Sequence, residues 1–185
     1  MLYIVSGFMR TGTSMMMEAL EAGGLKAVYS KRRDEAMTTR WGEANYKPND
    51  SYYELDAEDY TSGDLHIRYD GCLIKSLWGG VLRLPPSQYR VVFMRRPVEE
   101  IRVSLTAFFG SDSALPRPEV FDKLMDGVVE ILRDRRSFIS VDVLQYHDVL
   151  ENPHKALASL NWPINVEAAA LIPQIERARF INARA

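Results

Sequence analysis

The sequence is poor in the groups on which many functional readings rest. It has one cysteine, Cys72, so no disulfide can close within the chain, and its three histidines are too scattered to offer zinc-ligand spacing. It has no basic surplus either. The 23 Lys and Arg against 25 Asp and Glu leave a net charge of −2 and a pI near 6.0, which argues against a nucleic-acid partner held mainly through phosphate electrostatics. Any anion must therefore be held by local clusters. Long apolar runs are missing. The short N-terminal one ends at Gly7 and meets Arg10, which fits a β-strand and neither a signal peptide nor a membrane span, so a cytoplasmic location is expected. There is no internal repeat, low-complexity tract or linker. A chain of 185 residues with 46% hydrophobic content is long enough for one well-cored domain over 1–185 and short for two.

The most informative absence is one lysine. Leu2-Tyr3-Ile4-Val5 reads as a strand running into a glycine turn, and Gly7-x-x-x-x-Gly12-Thr13-Ser14 has the spacing of the phosphate-binding loop G-x-x-x-x-G-K-[ST], with Thr13 where the lysine belongs. Gly7 ends the strand, Gly12 is expected to let the backbone approach a ligand, and the loop N–H groups meet the positive end of a helix starting near Thr13. The missing lysine would have reached the β- and γ-phosphates of a nucleoside triphosphate. Its loss counts against ATP or GTP hydrolysis, while Arg10 brings a cation from within the loop. A glycine-bearing strand-to-helix turn is also common in α/β proteins, so support must come from further along the chain.

After the loop, Met15, Met16, Ala19 and Leu20 recur at helical spacing up to Gly23-Gly24, and Leu25 to Tyr29 reads as a second strand. From Ser30 to Asp70 the pattern weakens. Lys31-Arg32-Arg33 reads as a solvated surface, Lys47-Pro48-Asn49-Asp50 as a turn, and Asp56 to Tyr60 as a helical turn. Gly71 to Leu77 is a buried strand that sets Lys75 at its C-terminal edge, where open parallel sheets bind ligands. Tyr89 to Met94 is another buried strand, ending in Arg95-Arg96-Pro97, and Pro97 opens a helix with Ile101, Ser104, Leu105 and Phe108 on one face. Pro118 to Arg135 is helical, with an apolar stripe of Phe121, Leu124, Met125, Val128, Val129 and Leu132. Phe138 to Gln145 is a fifth strand. Two helices close the chain, one from Asn152-Pro153 to Leu160 and one from about Asn165 to Phe180. Strands alternating with helices predict an α/β fold with a mainly parallel central sheet covered on both faces.

Three separated stretches resemble the sulfotransferases that use 3′-phosphoadenosine 5′-phosphosulfate (PAPS), a family with a P-loop nucleotide-kinase-like fold, in its compact bacterial form. Ser6-Gly7-Phe8-Met9-Arg10-Thr11-Gly12-Thr13-Ser14 is similar to the family's 5′-phosphosulfate loop, with Arg10 in the cationic place. Val92 to Ser104 is similar to the 3′-phosphate motif, in which a strand-end arginine precedes a helix serine by eight residues; Arg96 and Ser104 have that spacing, which favours Arg96 over Arg95. Val143 to Pro153 is similar to a tyrosine-glutamate-aspartate-leucine segment, with His147 in place of the glutamate. A fainter likeness lies at Asn49-Asp50-Ser51-Tyr52-Tyr53-Glu54.

The resemblance implies a sulfuryl transfer from PAPS to a hydroxyl or amine on a small-molecule or glycan acceptor. The 5′-phosphosulfate would lie against Gly7, Arg10, Thr11, Gly12, Thr13 and Ser14, and the 3′-phosphate against Arg96 and Ser104. Catalysis would be chiefly positioning and charge stabilisation, with Arg10 and Lys75 as cations. The general base is where this chain departs from the family, since Leu77 stands where many members have histidine. Glu54 is the first substitute, with Asp70 and His66 behind it. Two rivals stay open: a P-loop kinase of a small molecule or nucleotide, disfavoured by Thr13, and a catalytically silent nucleotide-binding protein that has lost the base.

Overall fold

The computed structural model describes residues 1–41, 51–109, 115–135 and 138–182. The expected turn at residues 47–50 and residues 111–114 of the loop before Pro118 lie outside the described residues. The strands are β1 (Leu2–Gly7), β2 (Lys26–Ala27), β3 (Cys72–Lys75), β4 (Tyr89–Arg95) and β5 (Ile139–Gln145). They pair in parallel throughout, in the order β2-β3-β1-β4-β5. Parallel neighbours need a crossover between them, and the helices supply it. These are α1 (Thr13–Ala22), α2 (Lys31–Trp41), α3 (Ala57–Thr61), α4 (Leu65–Arg68), α5 (Trp78–Val81), α6 (Val98–Phe109), α7 (Pro118–Asp134), α8 (Tyr146–Glu151), α9 (Pro153–Ser159) and α10 (Val166–Asn182).

Both faces of the sheet are covered, as a parallel sheet requires, and the period of two along each strand divides the core. Ile4, Ile74, Val91 and Phe93 point to one side, where α6 and α7 bury Ile101, Leu105, Phe121 and Leu132 against them. Val5, Leu73, Val92 and Met94 point to the other, against Met15, Met16 and Leu20 of α1, Val149 and Leu150 of α8, Leu157 of α9 and Ala169 of α10. Near-continuous apolar strands such as Tyr89 to Met94 arise because both faces are buried. Among the described residues, no helix is long and apolar enough to cross a membrane.

Several expectations are corrected. The second strand keeps only Lys26 and Ala27 in the ladder, because β2 is an edge strand with β3 as its sole partner; Val28 N still donates to Leu73 O at 2.9 Å just beyond it. The stretch from 30 to 70, read as largely irregular, contains α2 and α4 besides the expected turn at α3. The first of these was masked by its own charge, since Lys31-Arg32-Arg33 forms the opening turn, where the helix dipole disfavours cations. Ser30 compensates by accepting Arg33 N on its hydroxyl at 3.1 Å. Lys31 and Arg32 are exposed as expected, but Arg33 turns inward and donates to Leu55 O at 2.9 Å. In α7 the expected stripe is buried except at Leu124, which is 42% exposed because it lies on the flank of the face centred on Phe121, Met125, Val128 and Leu132.

Candidate functional site

Register places the expected phosphate-binding residues along one edge. Val5 pairs with Lys75, Gly7 with Met94, and Arg95 with Gln145, so β1, β3, β4 and β5 all finish on the same side of the sheet. The loop between β1 and α1 crowns this edge. Gly7 adopts φ 147°, and a Cβ there would fall 2.6 Å from both Met94 O and Thr11 Oγ1. Thr11 is buried and donates its hydroxyl to Phe8 O at 2.7 Å, which staples the loop to itself. Thr13 is buried too. The first turn of α1 has no acidic residue and no side-chain cap, so the positive end of its dipole meets no carboxylate from its own turn.

Gly12 serves a purpose the sequence did not reveal. It sits at φ 92°, and an added Cβ would strike the Tyr146 ring, 2.5 Å from Cδ2 and 2.9 Å from Cε2. An aromatic side chain of α8 thus closes on Gly12, in the loop expected to receive a ligand. Arg10 is strained in turn, a non-glycine residue at φ 66°.

On the β3 side, the buried Lys75 ammonium lies 2.7 Å from Glu54 Oε1, donates to Ser14 Oγ at 3.3 Å and also donates to the Tyr52 carbonyl. A cation thus reaches the start of α1 from the neighbouring strand, in place of the one missing at Thr13. The segment carrying Tyr52 and Glu54 is itself pinned. Asp34 Oδ1 accepts Ser51 Oγ at 2.7 Å and Tyr52 N at 2.6 Å, and Tyr53, at φ 57°, donates its hydroxyl to Glu21 Oε2 at 2.8 Å. Tyr60 donates to the Lys75 carbonyl; burial, reinforced by the Glu54 carboxylate, pushes its hydroxyl well above the ordinary tyrosine value, so it stays protonated.

On the β4 side, the two consecutive arginines part. Arg95 turns to α7, where it meets Asp126 at 2.5 Å and Asp122 at 3.4 Å. Arg96 stays with the loop. Its Nε donates to Glu100 Oε2 at 2.8 Å, its Nη1 to the Arg10 carbonyl at 3.4 Å, and its guanidinium lies 4.3 Å from the centroid of the Tyr146 ring. Glu100 Oε1 is 2.8 Å from His147 Nε2. Burial pushes the Glu100 carboxyl up, but the hydrogen bonds from Arg96 and His147 outweigh it and hold the carboxyl below its usual range. Arg10 Nε donates to Ser104 Oγ at 2.9 Å.

Of the expected site residues, Gly7, Arg10, Thr11, Gly12, Thr13, Ser14, Glu54, Lys75, Arg96 and Ser104 therefore gather at or beside one sheet edge. Asp70 does not. It accepts the N-terminal ammonium of Met1 at the opposite edge, and His66 lies in α4, which leads into the start of β3. Glu100, Tyr146, His147 and Asp34 join this edge without any motif in the sequence that marks them as site residues. The four-residue spacing of Arg96 and Glu100 was a usable signal; the others depend on contacts between distant stretches.

No protein-family model matches the chain, and no curated protein matches it. Among solved structures, a sugar kinase from Janibacter sp. HTCC2649 aligns over 92% of this chain and 96% of its own, at 14% identity and a TM-score of 0.39. A likeness that distant bears on neither activity nor substrate.

Proposed function

We propose that the protein is a sulfotransferase using PAPS, acting on a hydroxyl or amine of a small-molecule or glycan acceptor. The observation that carries this reading is the joining of the β1–α1 loop to the β4–α6 junction, with Arg96 Nη1 on the Arg10 carbonyl and Arg10 Nε on Ser104 Oγ. Two stretches that separately resemble phosphate-binding motifs meet there, as a ligand with two separated phosphate groups requires. The donor set suits such a ligand: loop amides and an α1 start without acid, a buried ammonium beside Ser14, and an arginine with a serine on α6.

In this reading the loop amides, Ser14 and Lys75 hold the 5′-phosphosulfate, and Arg96 and Ser104 hold the 3′-phosphate. When bound, PAPS supplies the sulfuryl group, which passes to the acceptor as its sulfur–oxygen bond to the 5′-phosphate breaks and that phosphate keeps the electron pair. Lys75 stabilises negative charge growing on that leaving oxygen, in a buried setting where a fixed cation acts strongly. Glu54, 2.7 Å from Lys75, takes the acceptor proton.

Calorimetric titration with adenosine 3′,5′-bisphosphate and with ATP plus magnesium tests the reading. Bisphosphate binding is expected. Binding of ATP without binding of the bisphosphate would favour a kinase and sink the proposal, and sound bisphosphate binding with no acceptor labelled in a sulfate-transfer screen would leave a silent binding protein.

A further inference from the structure

We infer that Arg10, although it belongs to the phosphate loop, recognises the 3′-phosphate end of the nucleotide and sets the preference for a ribose phosphate, leaving Lys75 as the side-chain cation of the 5′ end. This rests on the nucleotide reading above. Loop position alone would assign Arg10 to the phosphosulfate, as the resemblance implies. The contacts point elsewhere. Its guanidinium Nε is bonded to Ser104 on α6 at 2.9 Å, and its carbonyl receives Arg96 Nη1 at 3.4 Å, so side chain and backbone both engage the pair attributed to the 3′-phosphate. A non-glycine residue is held at φ 66° to do this.

The opposite pole has its own cation. Lys75 stands at the end of β3 with Ser14 Oγ at 3.3 Å, while Arg96 follows β4, and these strands flank β1 on either side. Two strand spacings, about 9–10 Å, separate them. One pole therefore combines an ammonium with the start of α1, and the other combines two guanidiniums with a serine.

Charge and hydrogen-bond chemistry agree with that division. A phosphate monoester approaches two negative charges at neutral pH, which two guanidiniums match. Ser104 accepts from Arg10 through its oxygen and keeps its own proton to donate to an anion. Glu100 and the Tyr146 face hold Arg96 in place and temper its repulsion with Arg10.

The test compares two commercial nucleotides, adenosine 3′,5′-bisphosphate and adenosine 5′-monophosphate, by calorimetric titration of the full chain. Wild type is expected to prefer the bisphosphate. Arg10→Met should lower bisphosphate affinity about 10- to 100-fold while leaving monophosphate affinity within about twofold, so that the preference collapses. Lys75→Met should weaken both nucleotides by a similar factor. If Arg10→Met weakens both equally, or neither, the assignment is overturned. Should Arg10→Met fail to fold, Arg10→Gln, which keeps a donor for Ser104 but not the charge, must show the same selective loss, or the assignment falls. Wild type that binds the monophosphate but does not favour the bisphosphate also refutes it, whereas wild type that binds neither refutes the nucleotide reading itself.

Discussion

Lys75 and Glu54 form an ion pair of 2.7 Å at the C-terminal edge of the sheet, with side chains only 6% and 17% exposed. It joins a strand end to a segment that reads from sequence as irregular, and it brings the one buried lysine among the described residues to the loop that lacks one. Removing one partner of such a pair strands the other charge, which typically costs about 3–5 kcal/mol, whereas removing both is far milder.

Glu54→Gln should therefore lower both stability and transfer, and the two effects are separable. Denaturant unfolding should show the double variant Glu54→Gln/Lys75→Met to be more stable than Glu54→Gln alone. Labelled-sulfate transfer should nevertheless stay about 10²- to 10⁴-fold down in Glu54→Gln, the usual worth of a general base, and fall further in the double variant, which also lacks the Lys75 cation. Full transfer by a folded Glu54→Gln variant would remove Glu54 from that role.

Arg96→Ala should weaken adenosine 3′,5′-bisphosphate binding by about 1.5–3 kcal/mol, the range for hydrogen bonds to charged groups. Arg96→Lys should recover little of it, because lysine lacks the fork and the planar stack on Tyr146, 4.3 Å away. Unchanged affinity in the alanine variant would mean that Arg96 is not a phosphate ligand.

Gly12→Ala should destabilise the fold even without ligand. The new methyl group meets the Tyr146 ring at 2.5 Å and must adopt φ 92°, a conformation that costs roughly 1–3 kcal/mol before the clash is counted. Urea unfolding measures this, and in a Tyr146→Ala background, itself destabilised, the added cost of Gly12→Ala should shrink to its backbone part.

Glu100 should give a pH signature. Its carboxyl is held below the ordinary value of 4.5 in the folded chain, so its contribution to stability is full above that value and fades as the pH falls through the depressed folded value. The stability difference between wild type and Glu100→Gln should accordingly be largest near neutrality and shrink below about pH 4.5. A difference that grows in acid would contradict the assigned contacts with Arg96 and His147.

Much of the fold was legible because its signals are local. The apolar runs of β1, β3 and β4, the alternation of β5, the prolines at the starts of α7 and α9, and Asn165, whose Oδ1 accepts Ala168 N at 3.1 Å at the head of α10, each declare an element within a few residues. The start of α2 was illegible because its basic first turn contradicts the usual dipole preference, and β2 because two paired residues carry too little pattern.

The phosphate-loop spacing, the strand-end arginine and the helix serine were determined by sequence alone, since they depend on residue types at fixed intervals along one chain segment. Which charges meet was decided only by tertiary structure. Parallel register set Lys75 beside the loop, α7 drew Arg95 away with Asp122 and Asp126, and α6 drew Arg10 to Ser104. Electrostatic partners are chosen by distance in space, and a separation of 94 residues along the chain holds no record of a 2.9 Å contact.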